Sequence, residues 1–367
     1  MHESLPQRVR FATGEAAAAV AAEIDELGAR RAMVIASARE AEAAARITSG
    51  IPVALRHDEV VMHVPVDVAE RAREQAAEAG ADAIVCVGGG STTGLAKAIA
   101  LTTGLPIVAV PTTYAGSEAT NVWGLTEGGT KRTGVDPRVL PRSVVYDASL
   151  LATLPGELAV ASGLNALAHC VDAMWGPRVD PIDQVFAVEG IRGLAAGLPL
   201  VAAAAESVEG IEKTLYGAYL AAVSFTSAGS GMHHKICHVL GGMFNLPHAQ
   251  THAVVLPHVL AFNAPSAPEA EARMASAFGA PTAVDGLAGL RTALSSPKAL
   301  ADYGMPEGGI AEAVGPILAA IPDNNPTPVT EENLTALLTA AWSGEHPTTS
   351  SLRSGRRGDP EKSEESR

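Results

Sequence analysis

The sequence predicts an α/β domain built on a parallel sheet, followed by an all-helical domain. Short β-branched runs alternate with Ala-rich amphipathic stretches from about residue 14 to 150. Beyond Leu154 the strand signals stop, and long helical patterns broken by Gly and Pro take over. A chain of 367 residues also exceeds what one hydrophobic core usually serves.

Four strands are legible: AMVIAS at 32–37, DAIVCVGGG at 82–90, PIVAVPTT at 106–113 and SVVYD at 143–147. The stretches EAAAAVAAE and REAEAAAR share no fixed repeat and read as helices of high propensity. The LPGE turn at 154–157 should stop one element before the next begins. The expected division is therefore 1–155 for the α/β domain and 156–343 for the helical one, which holds GELAVASGLNALAHCVDAMW and GIEKTLYGAYLAAVSFTSAGS. From residue 344 to 367 the chain is polar, rich in Ser, Gly and charge, and reads as a disordered tail.

Composition narrows the partners. Hydrophobic residues make up 47% and aromatics only 4%, so the core must be Ala, Val, Leu and Ile packed closely. A net charge of -14 argues against nucleic acid or anionic membranes as the main partner, because both need clustered Lys and Arg. Cys86, Cys170 and Cys237 form no close pair, so neither a disulfide framework nor a zinc knuckle is indicated. No apolar run reaches the roughly 18 residues of a membrane span, and the N-terminus lacks a signal-like apolar region. A soluble cytoplasmic protein is expected.

Gly88, Gly89 and Gly90 directly follow a β-branched strand and precede Ser91, Thr92, Thr93 and a helical pattern. Strand, glycine turn and helix in that order make an anion site: the backbone can approach a diphosphate, and the first helical N–H groups face it unpaired. Ser91 and Thr92 are expected to cap that helix or to donate to phosphate. After the next strand, Thr112, Thr113 and Ser117 cluster around Gly116, where open parallel sheets bind ligands. The first strand ends in Ser37 and Arg39 rather than an acid, which leaves both NADH and NADPH open.

Six of the eleven histidines lie within residues 233–258. His234 and His238 are four apart, His248 and His252 repeat that spacing, and Asn165 and His169 repeat it on another helix. Neutral imidazoles serve equally as metal ligands and as acid–base groups, so spacing leaves both roles open.

Together these motifs resemble the iron-containing alcohol dehydrogenase family, of dehydroquinate synthase-like fold, over about residues 9–344. The resemblance implies a dinucleotide-binding α/β domain, with GGGS at 88–91 on the diphosphate and PTTYAGSE at 111–118 as the second cofactor loop. It places the family's metal-ligand positions, one Asp and three His, on Asn165, His169, His234 and His248, and a histidine near the nicotinamide on His238. Asn165 departs from that pattern and removes the only anionic donor. This departure, with HHKICHVLGG and LPHAQTHAVVLPH, is similar to the maleylacetate reductase branch, whose members work without metal. Val135 stands where that branch commonly has Arg.

The branch implies reduction of maleylacetate to 3-oxoadipate by NADH or NADPH in a homodimer, with no metal. His169, His234 and His248 would then be hydrogen-bond donors to the developing enolate, and His238 a proton relay. Asn165, Lys235 and His233 would also line the site, with Lys235 and His233 as partners for the carboxylates of a small dicarboxylate substrate. Two other readings fit the residues: a metal-dependent alcohol dehydrogenase of the same fold using Fe or Zn, and a non-catalytic nucleotide-binding protein.

Overall fold

The computed structural model describes residues 6–128 and 130–347. Six parallel strands form its sheet: β1 (Arg8–Phe11), β2 (Ala32–Ile35), β3 (Val53–His57), β4 (Ala83–Gly88), β5 (Ile107–Pro111) and β8 (Ser143–Tyr146), in the order β1-β8-β5-β4-β2-β3. Alternate residues of the central strands feed two separate cores. Val34, Val85, Val108 and Val145 pack under α1 (Ala16–Glu26) and α2 (Ala41–Ile47), while Met33, Ile84, Cys86 and Ile107 pack under α3 (Val66–Glu78) and α4 (Gly90–Thr103). Fully burying one such side chain stabilises the fold by roughly 1.5–3 kcal/mol relative to leaving it exposed.

Three elements were not expected. β1 and β3 are the edges of the sheet, and their side chains are largely exposed or alternate, so neither carries an apolar run. β1 is tied down by charge instead: Arg8 and Arg10 reach the buried Glu23 carboxylate of α1 at 2.8 and 2.5 Å, and Ser143 donates to the same group. The third element is an antiparallel hairpin, β6 (Val122–Glu127) with β7 (Thr130–Val135), in which Trp123 covers the place a Cβ of Gly134 would occupy.

From Gly156 onward the described chain is helical: α5 (Gly156–Ala173), α6 (Pro181–Ala203), α7 (Val208–Ala228), α8 (Met232–Phe244), α9 (His248–Asn263), α10 (Pro268–Phe278), α11 (Ala283–Ala293), α12 (Gly309–Ala320) and α13 (Glu331–Ser343). From Ala159 on, α5 is buried and packs on α6, α7 and α9, so Ser162, Asn165, His169 and Asp172 are held inside the molecule. α6 is long and apolar enough in composition to cross a membrane, with a mean hydropathy of 1.5. Its glycines lie against α7: a Cβ on Gly193 would sit 3.1 Å from Gly217 Cα, and one on Gly197 would sit 2.7 Å from Gly210 O. One core joins both halves, with Tyr114, Val144 and Tyr146 among Leu164, Leu167 and Leu194. The expected tail lies, from residue 348 on, outside the described residues.

Candidate active site

β4 delivers the chain into the glycine loop, and α4 begins at Gly90 with Gly89 in the capping position. Ser91 and Thr92 fall inside the first turn of α4, after the Gly89 cap, and neither caps the helix, which leaves the other expectation, donation to phosphate. The first N–H groups of α4 are therefore left for an anion, and no acidic residue lies in its first turn. A side chain here would close the cradle: a Cβ on Gly88 would overlap Thr92, and one on Gly89 would lie 2.9 Å from Thr113. Thr112 N–H donates to Gly88 O at 3.1 Å, which holds the second loop against the first.

β2 is the neighbour of β4, with Ile35 opposite Cys86, so Ser37 emerges beside the glycine loop. Its hydroxyl donates to Glu40, at the start of α2. Arg39, which is exposed, donates to Thr153 O at 3.2 Å. The strand end thus carries the Glu40 carboxylate as well as Ser37 and Arg39.

The second loop reaches the histidines. Gly116 has φ +74°, and a Cβ there would lie 2.9 Å from Ala222 and 3.5 Å from His169 Nδ1. Only glycine allows that approach without strain. Around this point α5, α7, α8 and α9 bring their rings together. His169 stacks on Phe225 and on His234, with centroids at 4.8 and 4.9 Å, and His252 lies 4.7 Å from His234 and 4.4 Å from His248. His238 is 5.9 Å from His234 and 6.4 Å from His248. Asn165, His169, His234 and His252 are buried and form a floor, whereas Lys235, His238 and His248 are half-buried and form a rim.

Two residues organise this floor that the sequence reading did not assign. Asp172 sits one turn beyond His169 on α5 and accepts N–H bonds from Gly231, His233 and His234 at 3.0, 3.3 and 3.1 Å, capping α8 from another helix. It also accepts from His234 Nδ1 at 2.7 Å. With Asp172 ionised, Nδ1 donates to it and neutral His234 presents a lone pair at Nε2. The other is His252, whose Nδ1 lies 2.9 Å from His233 Nε2. His233 is fully buried, and its Nε2 also lies 3.6 Å from Cys237 Sγ. Asn165, His169 and Asp172, at i, i+4 and i+7, share one helix face, which is the signal that could have found Asp172.

Burial sets the electrostatics. It pushes His169 down to about 4 and His233 to about 3, and holds His234 and His252 well below the usual imidazole range, so the floor is neutral near pH 7. Burial also pushes the Asp172 carboxyl up to about 7, opposed by its backbone donors and by Lys235.

The sequence matches the iron-containing alcohol dehydrogenase family over residues 6–148 and that family's C-terminal part over 159–342. The chain belongs to the iron-containing alcohol dehydrogenase family. As an oxidoreductase of this family it uses a nicotinamide cofactor, and the cradle at Gly88–Gly90 fits a diphosphate. Among its relatives, the maleylacetate reductase of Sphingobium indicum is 44% identical over 351 residues, covering 95% of this chain and 99% of its own. The crystal structure of an iron-containing alcohol dehydrogenase from Corynebacterium glutamicum superposes with a TM-score of 0.93 at 61% identity, covering 95% of this chain and 98% of that one. The maleylacetate reductase of Agrobacterium tumefaciens gives 0.89 at 40% identity, covering 95% and 99%.

The metal of the family name fits these residues poorly. Asn165, His169, His234 and His248 offer four neutral donors, and the nearby Asp172 carboxylate is already engaged by α8 and His234. Among the described residues, the metal-binding types whose ligand atoms lie within 4.8 Å of one another are His233, Cys237 and His252, which are not the family's positions.

Proposed function

We propose that this oxidoreductase reduces maleylacetate to 3-oxoadipate with NADH or NADPH and without a bound metal, as a cytoplasmic homodimer. The observation that carries the reading is Asn165, whose buried Oδ1 has no partner at the position where an anionic ligand would be needed. The relatives named maleylacetate reductase support the choice of substrate.

Gly88, Gly89, Gly90 and Ser91 would hold the diphosphate at the N-terminus of α4, with Thr112, Thr113 and Ser117 along the second loop and Ser37 at the ribose end. The nicotinamide, when bound, supplies a hydride. Added to the alkene carbon remote from the ketone, that hydride leaves an enolate, which the protein must stabilise and protonate. The buried floor of Asn165, His169 and His234 excludes water and places polar atoms around the reacting centre, where fixed dipoles act more strongly than in water. His238, half-buried at the rim, would pass a proton in from solvent. Lys235, also at the rim, supplies positive charge for a dianionic substrate.

A metal-dependent alcohol dehydrogenase is the second reading, because a carboxylate behind a histidine, as in Asp172–His234, also occurs behind metal ligands. The two separate in one assay. Loss of NADH absorbance with maleylacetate is followed on enzyme dialysed against EDTA and on enzyme given Fe²⁺ or Zn²⁺. Full activity after chelation supports the metal-free reductase, whereas activity only with added metal, or only on simple alcohols, sinks it.

A further inference from the structure

Among the described residues three helices contain an internal proline: Pro199 in α6, Pro257 in α9 and Pro316 in α12. A proline has no N–H, so each leaves the carbonyl four residues earlier without its helical donor. Those carbonyls belong to Ala195, Ala253 and Glu312. Glu312 is exposed and Ala195 half-buried, so both positions are open to solvent. Ala253 is fully buried, and its carbonyl needs a donor from the protein.

α11 supplies one. Arg291 stands in the last turn of that helix, and its Nη1 donates to Ala253 O. Its Nη2 donates to Pro297 O at 2.7 Å, so the planar guanidinium bridges α9 and the segment that follows α11. Burial lowers the pKa of Arg291 only to about 10, which leaves it charged at neutral pH and the bond charge-assisted.

The bond falls at a telling place in α9. Ala253 directly follows His252, and His248 lies one turn earlier. The ring of His252 is 4.7 Å from His234, and that of His248 is 6.4 Å from His238, so the first turns of α9 pack their imidazoles on those of α8. Those turns are joined to the rest of α9 through the step at which Pro257 breaks the ladder. Helices bend at such steps unless something outside them holds the carbonyl.

We propose that Arg291 is a positioning residue: it replaces the hydrogen bond that Pro257 removes from α9 and thereby holds His248 and His252 against the histidines of α8. The functional part of this inference rests on the histidine floor being the reacting centre of the reductase proposed above. Arg291 acts through the backbone of α9 and takes no part in hydride or proton transfer.

The test uses the proline itself. Pro257→Ala restores the missing N–H, so it should make Arg291 dispensable. In urea unfolding, Arg291→Met should lower the folding equilibrium constant by about tenfold or more, as expected for a buried carbonyl that loses its donor. In the Pro257→Ala background the same change should cost no more than about threefold. Spectra of ring-labelled histidines should show His248 and His252 shifted in Arg291→Met and restored in the double variant, with His57 on β3 unmoved. Turnover of maleylacetate should fall by about tenfold in Arg291→Met, with KM for NADH within about twofold, and should recover in the double variant. Equal losses of stability in both backgrounds, or histidine signals that Arg291→Met leaves in place, would overturn the proposal. If Arg291→Met does not fold, folding of the double variant supports the proposal and its failure to fold overturns it. If the wild type fails to reduce maleylacetate, the proposed reaction falls, and the unfolding cycle and the spectra still decide the role of Arg291.

Discussion

Asn165→Asp is the smallest change that separates a metal-free site from a metal site in this protein. The carboxylate would sit beside His169 and His234 and supply the anionic donor the four positions lack. Binding of Co²⁺, followed through its visible d–d bands, should strengthen at least about tenfold, or 1.4 kcal/mol. In EDTA the same charge would face a developing enolate, so kcat on maleylacetate should fall. A variant that neither gains cobalt nor loses turnover would show that position 165 does not face the reacting centre. A second residue to test is Lys97, fully buried on α4, whose ammonium donates to Thr120 Oγ1 and Val122 O, both at 2.9 Å. Burial pushes its pKa down to about 7, against the opposing influence of Glu118 and Cys86. Between about 7 and the unfolded value near 10.5 the unfolded chain binds a proton the folded chain lacks, so stability should rise with pH by up to about 1.4 kcal/mol per unit. Lys97→Met should flatten that slope in thermal melts at pH 7, 8 and 9, and an unchanged slope would mean that Lys97 stays charged. These residues also mark how far the sequence could be read. The histidine cluster was visible because imidazoles are rare and fell at helical spacing, and Asp172 shares a face with Asn165 and His169, but its bonds to α8 and the contact of His252 with His233 join different helices, which spacing within one helix does not reveal.

At the scale of elements, legibility followed burial. The four strands read from the sequence are β8, β5, β4 and β2, the central four of the sheet, where helices on both faces force near-continuous Val and Ile. β1 and β3 escaped because an edge strand need not be apolar, and RVRF is held by ion pairs to Glu23 instead. The hairpin β6–β7 escaped because TKRTGV offers no apolar run. The glycine loop was read from order alone, and its geometry adds that α4 has no side-chain cap on its first N–H groups. Gly89→Val should therefore raise KM for NADH by about 10-fold or more, since its Cβ lies 2.9 Å from Thr113 and its branches fill the cradle. Fluorescence titration of NADH checks this directly, and unchanged affinity would place the diphosphate elsewhere.

At the scale of the whole molecule, two architectures share one core, and that has a thermodynamic consequence. Tyr114, Val144 and Tyr146 come from the sheet and its loops, yet pack with Leu164, Leu167 and Leu194 of the helices, and Tyr146 additionally donates to the buried Glu118 at 2.8 Å. Gly116, on the second cofactor loop, lies against Ala222 of α7 and His169 of α5. Losing the helices would expose that apolar face, and losing the sheet would uncover the histidine floor. The chain should consequently unfold in a single calorimetric transition, although its two halves look separable in sequence. Because the cofactor loops and the helical floor touch, NADH should shift that whole transition upward, by roughly 2.7 kcal/mol of stabilisation at a concentration of 100 Kd. Two transitions of which NADH moves only the first would show that the halves are energetically independent. The shared core and the Gly116 contact would then be too weak to couple cofactor binding to the arrangement of the histidines.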